Sequence, residues 1–193
     1  MGWGLDWVDL DNDGLLDLFV NYGHWENYPD EKDPFINPES QPDALFIQQP
    51  DGSFLEQAAL WGLNEEGISR SSVFADLNED GWPDLLRSQI FGRTQLFLSE
   101  CGSAGWLDVE LEMPGANSKG VGSTIQLIAD GRTQTSWIRA GGTSIAAGGP
   151  QLAHFGLGEA CEAESLVVTW PDGTSSSFGK IPANQRVRIV RED

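Results

Sequence analysis

The sequence predicts an all-β protein in which two β-propeller-like blades with calcium loops precede an antiparallel β-sandwich. Three observations favour this class: short apolar runs bounded by glycine or proline, Asp-Gly pairs between alternating segments, and the lack of helical apolar periodicity. Two nonapeptides, each between two such apolar runs, organise the first half. They are Asp9–Asp17 and Asp76–Asp84, and both follow the pattern D-x-[DN]-x-D-G-x-x-D.

The nonapeptides have the composition of a calcium loop. Side-chain oxygens stand at alternate positions, and the glycine at the sixth position can take the sharp bend that a Cβ would resist. A hard cation such as Ca²⁺ binds about six to eight oxygens, and the seventh residue would add a backbone carbonyl. We therefore expect two Ca²⁺ ions, held by Asp9, Asp11, Asp13, Leu15 and Asp17 in the first loop and by Asp76, Asn78, Asp80, Trp82 and Asp84 in the second.

The flanking residues exclude the EF-hand, which needs a glutamate at the twelfth position and a helix on each side of its loop. The twelfth residue is Val20 in the first loop and Arg87 in the second. The flanks Trp7-Val8 and Leu18-Phe19-Val20 are typical of buried strands. Each motif is thus predicted as a strand, a calcium loop and a second strand. The alternative is an acidic turn that binds no metal.

The chain divides into two predicted domains, residues 1–101 and residues 102–193, at a segment of small residues. Residues 2–65 and 67–100 have the pattern of two copies of one unit, which suggests propeller blades or a similar array. The first copy contains an insertion, roughly His24 to Pro42, with four prolines and no periodicity. We expect this insertion to be an irregular loop.

The second predicted domain alternates between apolar and polar residues, with Asp-Gly turns between its segments. This pattern without helical periodicity predicts an antiparallel sandwich. A glycine-rich run from Ala140 to Pro150 is expected to cross between the sheets. The expected strands are Trp106–Glu112, Thr124–Ile128, Thr133–Ile138, Leu166–Trp170, Thr174–Phe178 and Gln185–Val190.

Charge and hydropathy exclude several kinds of partner. The chain carries 30 acidic and 11 basic residues, for a net charge of −19, and most of the excess lies in the half with the calcium loops. Nucleic acid and anionic membranes need a basic patch, so neither is an expected partner. No apolar run is long enough for a membrane span, and no signal peptide precedes the first motif. The chain is expected to begin inside a repeat, as a fragment or a mature product would.

Other residue types offer few sites. Cys101 and Cys161 match no zinc spacing, and they either form a disulfide or remain two free buried thiols. Most of the eight tryptophans lie in strand patterns and are expected in the core, with Trp25 the best candidate for an exposed one. His24 and His154 have no paired serine or cysteine motif, so no nucleophile with a general base is expected.

Several segments resemble known families. Gly2-Trp3-Gly4 with the first nonapeptide, and Ala75–Gly81, resemble the FG-GAP/VCBS repeat of integrin-type propellers. Residues 106–190 resemble the ASPIC/UnbV domain, and this order of domains resembles the C-terminal part of cartilage-acidic-protein-like proteins. The segments that carry the second resemblance are Gly120–Gly122, Gly131–Gln134, His154–Gly158, Val168–Gly173 and Asn184–Gln185.

The resemblance implies a secreted, calcium-binding, non-catalytic protein of the extracellular matrix or cell surface. Such propellers have about seven blades, and two are visible here. We therefore expect other copies of the chain, or missing blades, to cover the open edges. An extracellular glycan or a matrix protein is a further expected partner. The alternative function is carbohydrate binding, either as a lectin or as a Ca²⁺-dependent enzyme that acts on polysaccharides.

Overall fold

The computed structural model describes residues 2–23, 41–90, 92–100, 102–142 and 147–192. Within these ranges the chain forms strands and no helix, which confirms the predicted all-β class, and no described segment is a helix that could span a membrane. In chain order the strands are β1 Gly2–Val8, β2 Asp17–Tyr22, β3 Gln41–Pro42, β4 Ala44–Gln48, β5 Phe54–Glu56, β6 Glu66–Gly67, β7 Ser69–Ala75, β8 Asp84–Gln89, β9 Gln95–Phe97, β10 Gly105–Glu112, β11 Thr124–Ala129, β12 Arg132–Trp137, β13 Ala153–Gly158, β14 Glu162–Ala163, β15 Ser165–Thr169, β16 Ser175–Phe178, β17 Ile181–Pro182 and β18 Gln185–Val190.

The first repeat folds as an antiparallel sheet in the order β1-β2-β4-β5. Successive side chains point to opposite faces of a strand, and here both faces are apolar. Phe19, Leu45 and Ile47 are buried on the inner face. On the other face Leu5 and Trp7 stay 43% and 48% exposed. We call this exposed side of the first sheet the first outer face. The register of the strands assigns to it Leu5, Trp7, Leu18, Val20, Phe46 and Phe54.

The second repeat folds as a smaller antiparallel sheet in the order β7-β8-β9. Its inner face packs on the inner face of the first sheet, where Phe74 meets Phe19 edge to face at a centroid distance of 5.5 Å. On the other face of this sheet, Val73, Leu86 and Leu96 lie side by side on neighbouring strands. We call this face the second outer face. Leu96 is 52% exposed there. The two sheets are open and form no closed ring within the described residues.

A buried ion pair lies where the two repeat sheets meet. Arg87 on β8 donates from Nη1 to Asp43, just before β4, at 3.0 Å, and both side chains are fully buried. The other terminal nitrogen of Arg87, Nη2, pairs with Glu65 at 3.0 Å. The same region corrects one prediction, because Gln41–Pro42 is not irregular but pairs with Glu66–Gly67 as a short ladder. The rest of the predicted loop, residues 24–40, lies outside the described residues.

The C-terminal half forms a sandwich of two sheets, ordered β13-β10-β18 and β12-β11-β15-β16. Its core is built from the inward residues of both sheets, among them Leu107, Ile125 and Val168, which are fully buried. Two details of the prediction were wrong. β10 and β18 pair in parallel, which a long crossover between them allows. β13 was not expected as a strand, because its two glycines obscure the alternation.

The described apolar residues form two separate clusters. One joins the inner faces of the repeat sheets, and the other fills the sandwich. No residue belongs to both clusters, and they lie on either side of the predicted domain boundary between residues 101 and 102. The boundary itself stays a prediction.

Candidate metal centres

The first nonapeptide connects β1 to β2 and is folded by its own carboxylates. Asp9 accepts the N–H groups of Asp13 at 3.0 Å and of Gly14 at 2.9 Å. Asp17 accepts the N–H of Leu10 at 3.0 Å across the loop. Gly14 takes a φ of 84°, a conformation that a Cβ would resist. The loop therefore closes around positions one and nine of the motif.

The second nonapeptide connects β7 to β8 and repeats the same hydrogen bonds. Asp76 accepts the N–H groups of Asp80 at 3.1 Å and of Gly81 at 2.9 Å. Asp84 accepts the N–H of Leu77 at 2.9 Å, and Gly81 takes a φ of 87°. Since the two loops agree bond for bond, their shared sequence pattern encodes one shared conformation.

Each loop is also tied to the third strand of its sheet. The second carboxylate oxygen of Asp17 accepts the N–H of Gln48, at the end of β4, at 2.9 Å. The equivalent oxygen of Asp84 accepts the N–H of Ser99, just after β9, at 2.9 Å. The ninth residue of the motif thus links three strands of its sheet.

Three carboxylates of the first loop converge on one point. One oxygen from each of Asp9, Asp11 and Asp17 lies within 4.8 Å of the others. Two oxygens bound to one Ca²⁺ can stand up to about 5 Å apart, because each Ca–O distance is about 2.3–2.6 Å. The donor set is all oxygen and carries high negative charge, so it fits a hard cation. Asp13, by contrast, turns one oxygen to the N–H of Leu15 at 2.8 Å and is not part of this group.

The second loop is less convergent than the first. The side-chain N–H of Asn78 donates a hydrogen bond to the carboxylate of Asp80 at 2.9 Å. This hydrogen bond would have to break before both side chains could bind one cation through their oxygens. Arg186 Nη2 lies 4.0 Å from the carboxylate of Asp76. Among the described residues, no group of three converging acids is found in this loop. Its carboxylates are therefore partly satisfied by the protein.

The predicted backbone ligands at the seventh position remain untested. The N–H of Leu15 bonds to Asp13, and the N–H of Trp82 bonds to Asp80 at 2.9 Å. Both bonds orient the backbone in the same way in the two loops. Ligation by the carbonyl groups of Leu15 and Trp82 stays a prediction.

Burial changes the acidity of the first loop. It raises the pKa of the Asp9 carboxyl to about 8 and that of Asp17 to about 6, and the neighbouring loop aspartates add to both increases. Burial also raises the pKa of Asp11, with Asp13 as the next cause. A cation placed among these oxygens would stabilise the ionised form and reverse the effect.

The raised pKa values predict a pH dependence. The folded metal-free protein keeps a proton on Asp9 that the unfolded chain loses at its ordinary pKa of 3.8. The stability of the metal-free protein should therefore fall as the pH rises from about 4 to about 8. Calcium must displace this proton, so its Kd should fall about tenfold or more between about pH 6 and pH 8. Calorimetric titration at both pH values tests this, and a Kd independent of pH would contradict it.

Several residues at these loops were not predicted from the sequence. Asn12, the fourth residue of the first motif, is fully buried and contacts His154, which lies 142 positions away in the chain. His154 in turn contacts Asp108, and Asp108 accepts hydrogen bonds from Arg186. From the sequence, His154 was considered only as a possible general base and as part of the family resemblance. No local pattern links these four residues, because they come from four separate segments.

The tryptophans are less buried than the sequence suggested. Of those in the described residues, only Trp82 and Trp170 are buried, so the expectation that most lie in the core was wrong. Trp7 and Trp137 are about half exposed and line a cleft of about 490 Å³ between the repeat sheets and the sandwich. Trp25 lies outside the described residues.

The predicted disulfide also remains untested. Cys161 is exposed, which does not fit the alternative of two buried thiols. Cys101 lies outside the described residues, so its pairing with Cys161 stays a prediction.

Comparison with known families concerns the sandwich. Residues 113–193 match the family model described as ASPIC and UnbV. This segment is an ASPIC/UnbV domain. The match begins after β10. Because β10 is the central strand of the sheet β13-β10-β18, the sandwich that contains the matched segment also includes Gly105–Glu112. No curated protein matches the chain. The resemblances to FG-GAP/VCBS repeats and to cartilage-acidic-protein-like proteins stay predictions.

Proposed function

We propose that this chain is an extracellular, calcium-binding structural module without catalytic activity, in which Ca²⁺ stabilises the repeat sheets. The observation that carries the proposal is the convergence of Asp9, Asp11 and Asp17 in a loop whose conformation recurs in the second repeat. The repeat sheets are proposed as propeller-type blades of the FG-GAP/VCBS kind. Secretion and a role in adhesion or assembly belong to the same proposal.

The position of the loops favours a stabilising role for the ion. The ninth residue of each motif already bonds to the third strand of its sheet, through Gln48 in the first repeat and Ser99 in the second. A cation held by the same carboxylate would bind the loop and all three strands together. Asp9 and Asp17 are 3% and 1% exposed, so they offer little access to a substrate.

Calorimetric titration should find two Ca²⁺ per chain, and the first loop should bind more tightly because it carries four carboxylates against three in the second. Mg²⁺ should compete poorly, since it demands shorter bonds and keeps its waters. The variant Asp11→Ala should weaken or abolish one site. The matched control Asp51→Ala removes an acid from an exposed hairpin turn and should change nothing. The absence of a site, or equal preference for Mg²⁺, would contradict the proposal.

A second candidate function is carbohydrate binding at the cleft between the repeat sheets and the ASPIC/UnbV domain. Half-exposed Trp7 and Trp137 line this cleft together with Asp6, Gln48 and Arg139. Aromatic faces beside convergent polar groups are common in ligand sites. A glycan array tests for a lectin. Turnover of a polysaccharide that is lost in Asp6→Asn would instead indicate an enzyme.

We also propose that copies of this chain associate through the two outer faces. Within one chain the inner faces of the repeat sheets already pack on each other, and the outer faces are apolar too. Packing the first outer face of one copy on the second outer face of the next would cover both, and such a head-to-tail contact can continue. Missing blades of a longer parent are the alternative occupant.

Sedimentation velocity at micromolar concentration with Ca²⁺ should therefore show oligomers. The variant Leu96→Asp introduces a charge into the second outer face and should dissociate them. Its matched control is Leu60→Asp, since Leu60 is 80% exposed and belongs to neither face. A stable monomer of the wild-type chain under these conditions would show that the association proposal is wrong.

A further inference from the structure

The ASPIC/UnbV domain contacts the centre of the first calcium loop. Asn12 is fully buried there and has a φ of 57°. Its backbone oxygen accepts the N–H of Gly158 at 2.7 Å, and its side-chain oxygen lies 2.7 Å from His154 Nε2. Gly156 leaves no gap, because a Cβ there would stand 2.5 Å from backbone atoms of Asn12 and closer still to the carboxylate of Asp9. Loop and domain are thus in backbone contact.

The second loop reaches the same place. Asn12 Nδ2 donates to the backbone oxygen of Gly81 at 3.0 Å. Trp106, on β10, packs over Gly81 so closely that any side chain at that position would overlap the indole ring. Both loops and the domain therefore meet at one site, which we call the junction. Its members are Asn12, Gly81, Trp106, His154, Gly156 and Gly158.

A chain of polar contacts extends from the junction to a predicted ligand of the second loop. His154 Nδ1 lies 2.8 Å from Asp108, a fully buried carboxylate. Asp108 accepts hydrogen bonds from Nε and Nη2 of Arg186 at 3.1 and 3.0 Å. Arg186 Nη2 is also 4.0 Å from a carboxylate oxygen of Asp76. The contacts are therefore continuous from Asn12 to Asp76.

We propose that calcium binding to the loops and docking of the ASPIC/UnbV domain are one coupled equilibrium, with the junction as the coupling contact. This inference rests on the calcium binding proposed above. It assigns to His154 and Gly156, which are not ligands, a role in setting the calcium affinity.

Two physical effects give the coupling its sign. Docking places the backbone of Gly156 against the Asp9 carboxylate, and burying that charge costs less once a cation neutralises it. Docking also holds Asn12 in its left-handed conformation. The loop therefore loses less conformational entropy when it binds an ion, which favours binding. By linkage, docking must strengthen calcium binding by the same factor by which calcium strengthens docking.

The first test uses variants of the full chain in calorimetric titrations. Gly156→Ala introduces a clash with Asn12, and His154→Ala removes a contact to Asn12, so each should raise the Kd for Ca²⁺ by about 5- to 150-fold. Two matched controls should bind as the wild type does. At Gly179 a Cβ would meet nothing within 4 Å, which makes Gly179→Ala a neutral control. Asn117→Ala removes two hydrogen bonds to Val121 inside the same domain.

The second test needs no variant and reports docking directly. The N–H of Gly158 bonds to Asn12 across the interface, whereas the N–H of Glu164 bonds to Ile128 inside the domain at 2.7 Å. Chelation of calcium should speed hydrogen exchange at Gly158 by about 5- to 150-fold and leave Glu164 unchanged. Calcium binding by the wild type, with an unchanged Kd in both variants or unchanged exchange at Gly158, would overturn the coupling alone. Absence of calcium binding by the wild type would overturn both proposals.

Discussion

Removal of calcium should lower the melting temperature of this chain by about 10–20 °C. A ligand that binds only the folded state, at about 100 times its Kd, stabilises that state by about 2.7 kcal/mol per site, and two sites are proposed. In chains of about 150–250 residues, 1 kcal/mol corresponds to about 2–4 °C. Above about pH 8, where both groups are ionised, chelation also leaves the buried carboxylates of Asp9 and Asp17 without a counter-charge. Scanning calorimetry in excess calcium and in EGTA measures the shift.

Substitution of one ligand should reproduce part of this loss. Asp11→Ala should lower the melting temperature in calcium and reduce the further shift caused by EGTA, because one site is already impaired. Asp51→Ala should melt like the wild type in both conditions, since Asp51 bonds only within an exposed turn. An equal melting temperature with and without EGTA would rule out a structural role for the ion.

The loop conformation could be predicted from the sequence because the interactions that form it are local. The bonds from Asp9 to Asp13 and Gly14 span at most five residues, and the equivalent bonds of the second loop span the same distance. The glycine at the bend is visible in the motif itself. Such a pattern describes the shape of the loop and the chemistry of its oxygens, and the presence of an ion stays a prediction.

The contacts around the loops could not be predicted, because they join distant segments. Asn12 and His154 are 142 residues apart, and neither the spacing nor the composition of either segment indicates the pairing. The parallel pairing of β10 with β18 is a similar case, since alternation along a strand identifies the strand and not its neighbour. Tertiary packing alone decides such contacts.

The tryptophans illustrate a different limit. An alternating apolar pattern predicts which side chains share a face, but not whether another layer covers that face. Trp7 stands in register with Leu18 and Phe46 on the first outer face, as a core residue would, and yet is 48% exposed. The same reasoning placed Trp170 in the core, and Trp170 does belong to the buried cluster of the sandwich.

Asp43→Ala should destabilise the chain by about 3–5 kcal/mol, because it leaves the fully buried Arg87 guanidinium without its buried counter-charge. Asp43 also accepts the N–H of Tyr22 at 2.7 Å and the hydroxyl of Ser69 at 2.8 Å, so both donors lose their acceptor. The sequence indicated only that Arg87 cannot be a metal ligand, and it did not indicate a partner for this residue. In the structure it joins the two repeat sheets.

Urea unfolding of Asp43→Ala, Arg87→Met and the double variant measures how much the interaction of the two charges contributes to stability, apart from their other contacts. Arg87→Met should also destabilise, because it leaves Asp43 charged and buried. The double variant should lose less than the sum of the two single losses, by about 0.5–3 kcal/mol, since neither charge then remains unpaired. The exposed pair of Arg188 and Glu110 provides the control, and Glu110→Ala should cost less than about 1 kcal/mol. Additive losses in the double variant would show that the buried pair does not couple the two sheets.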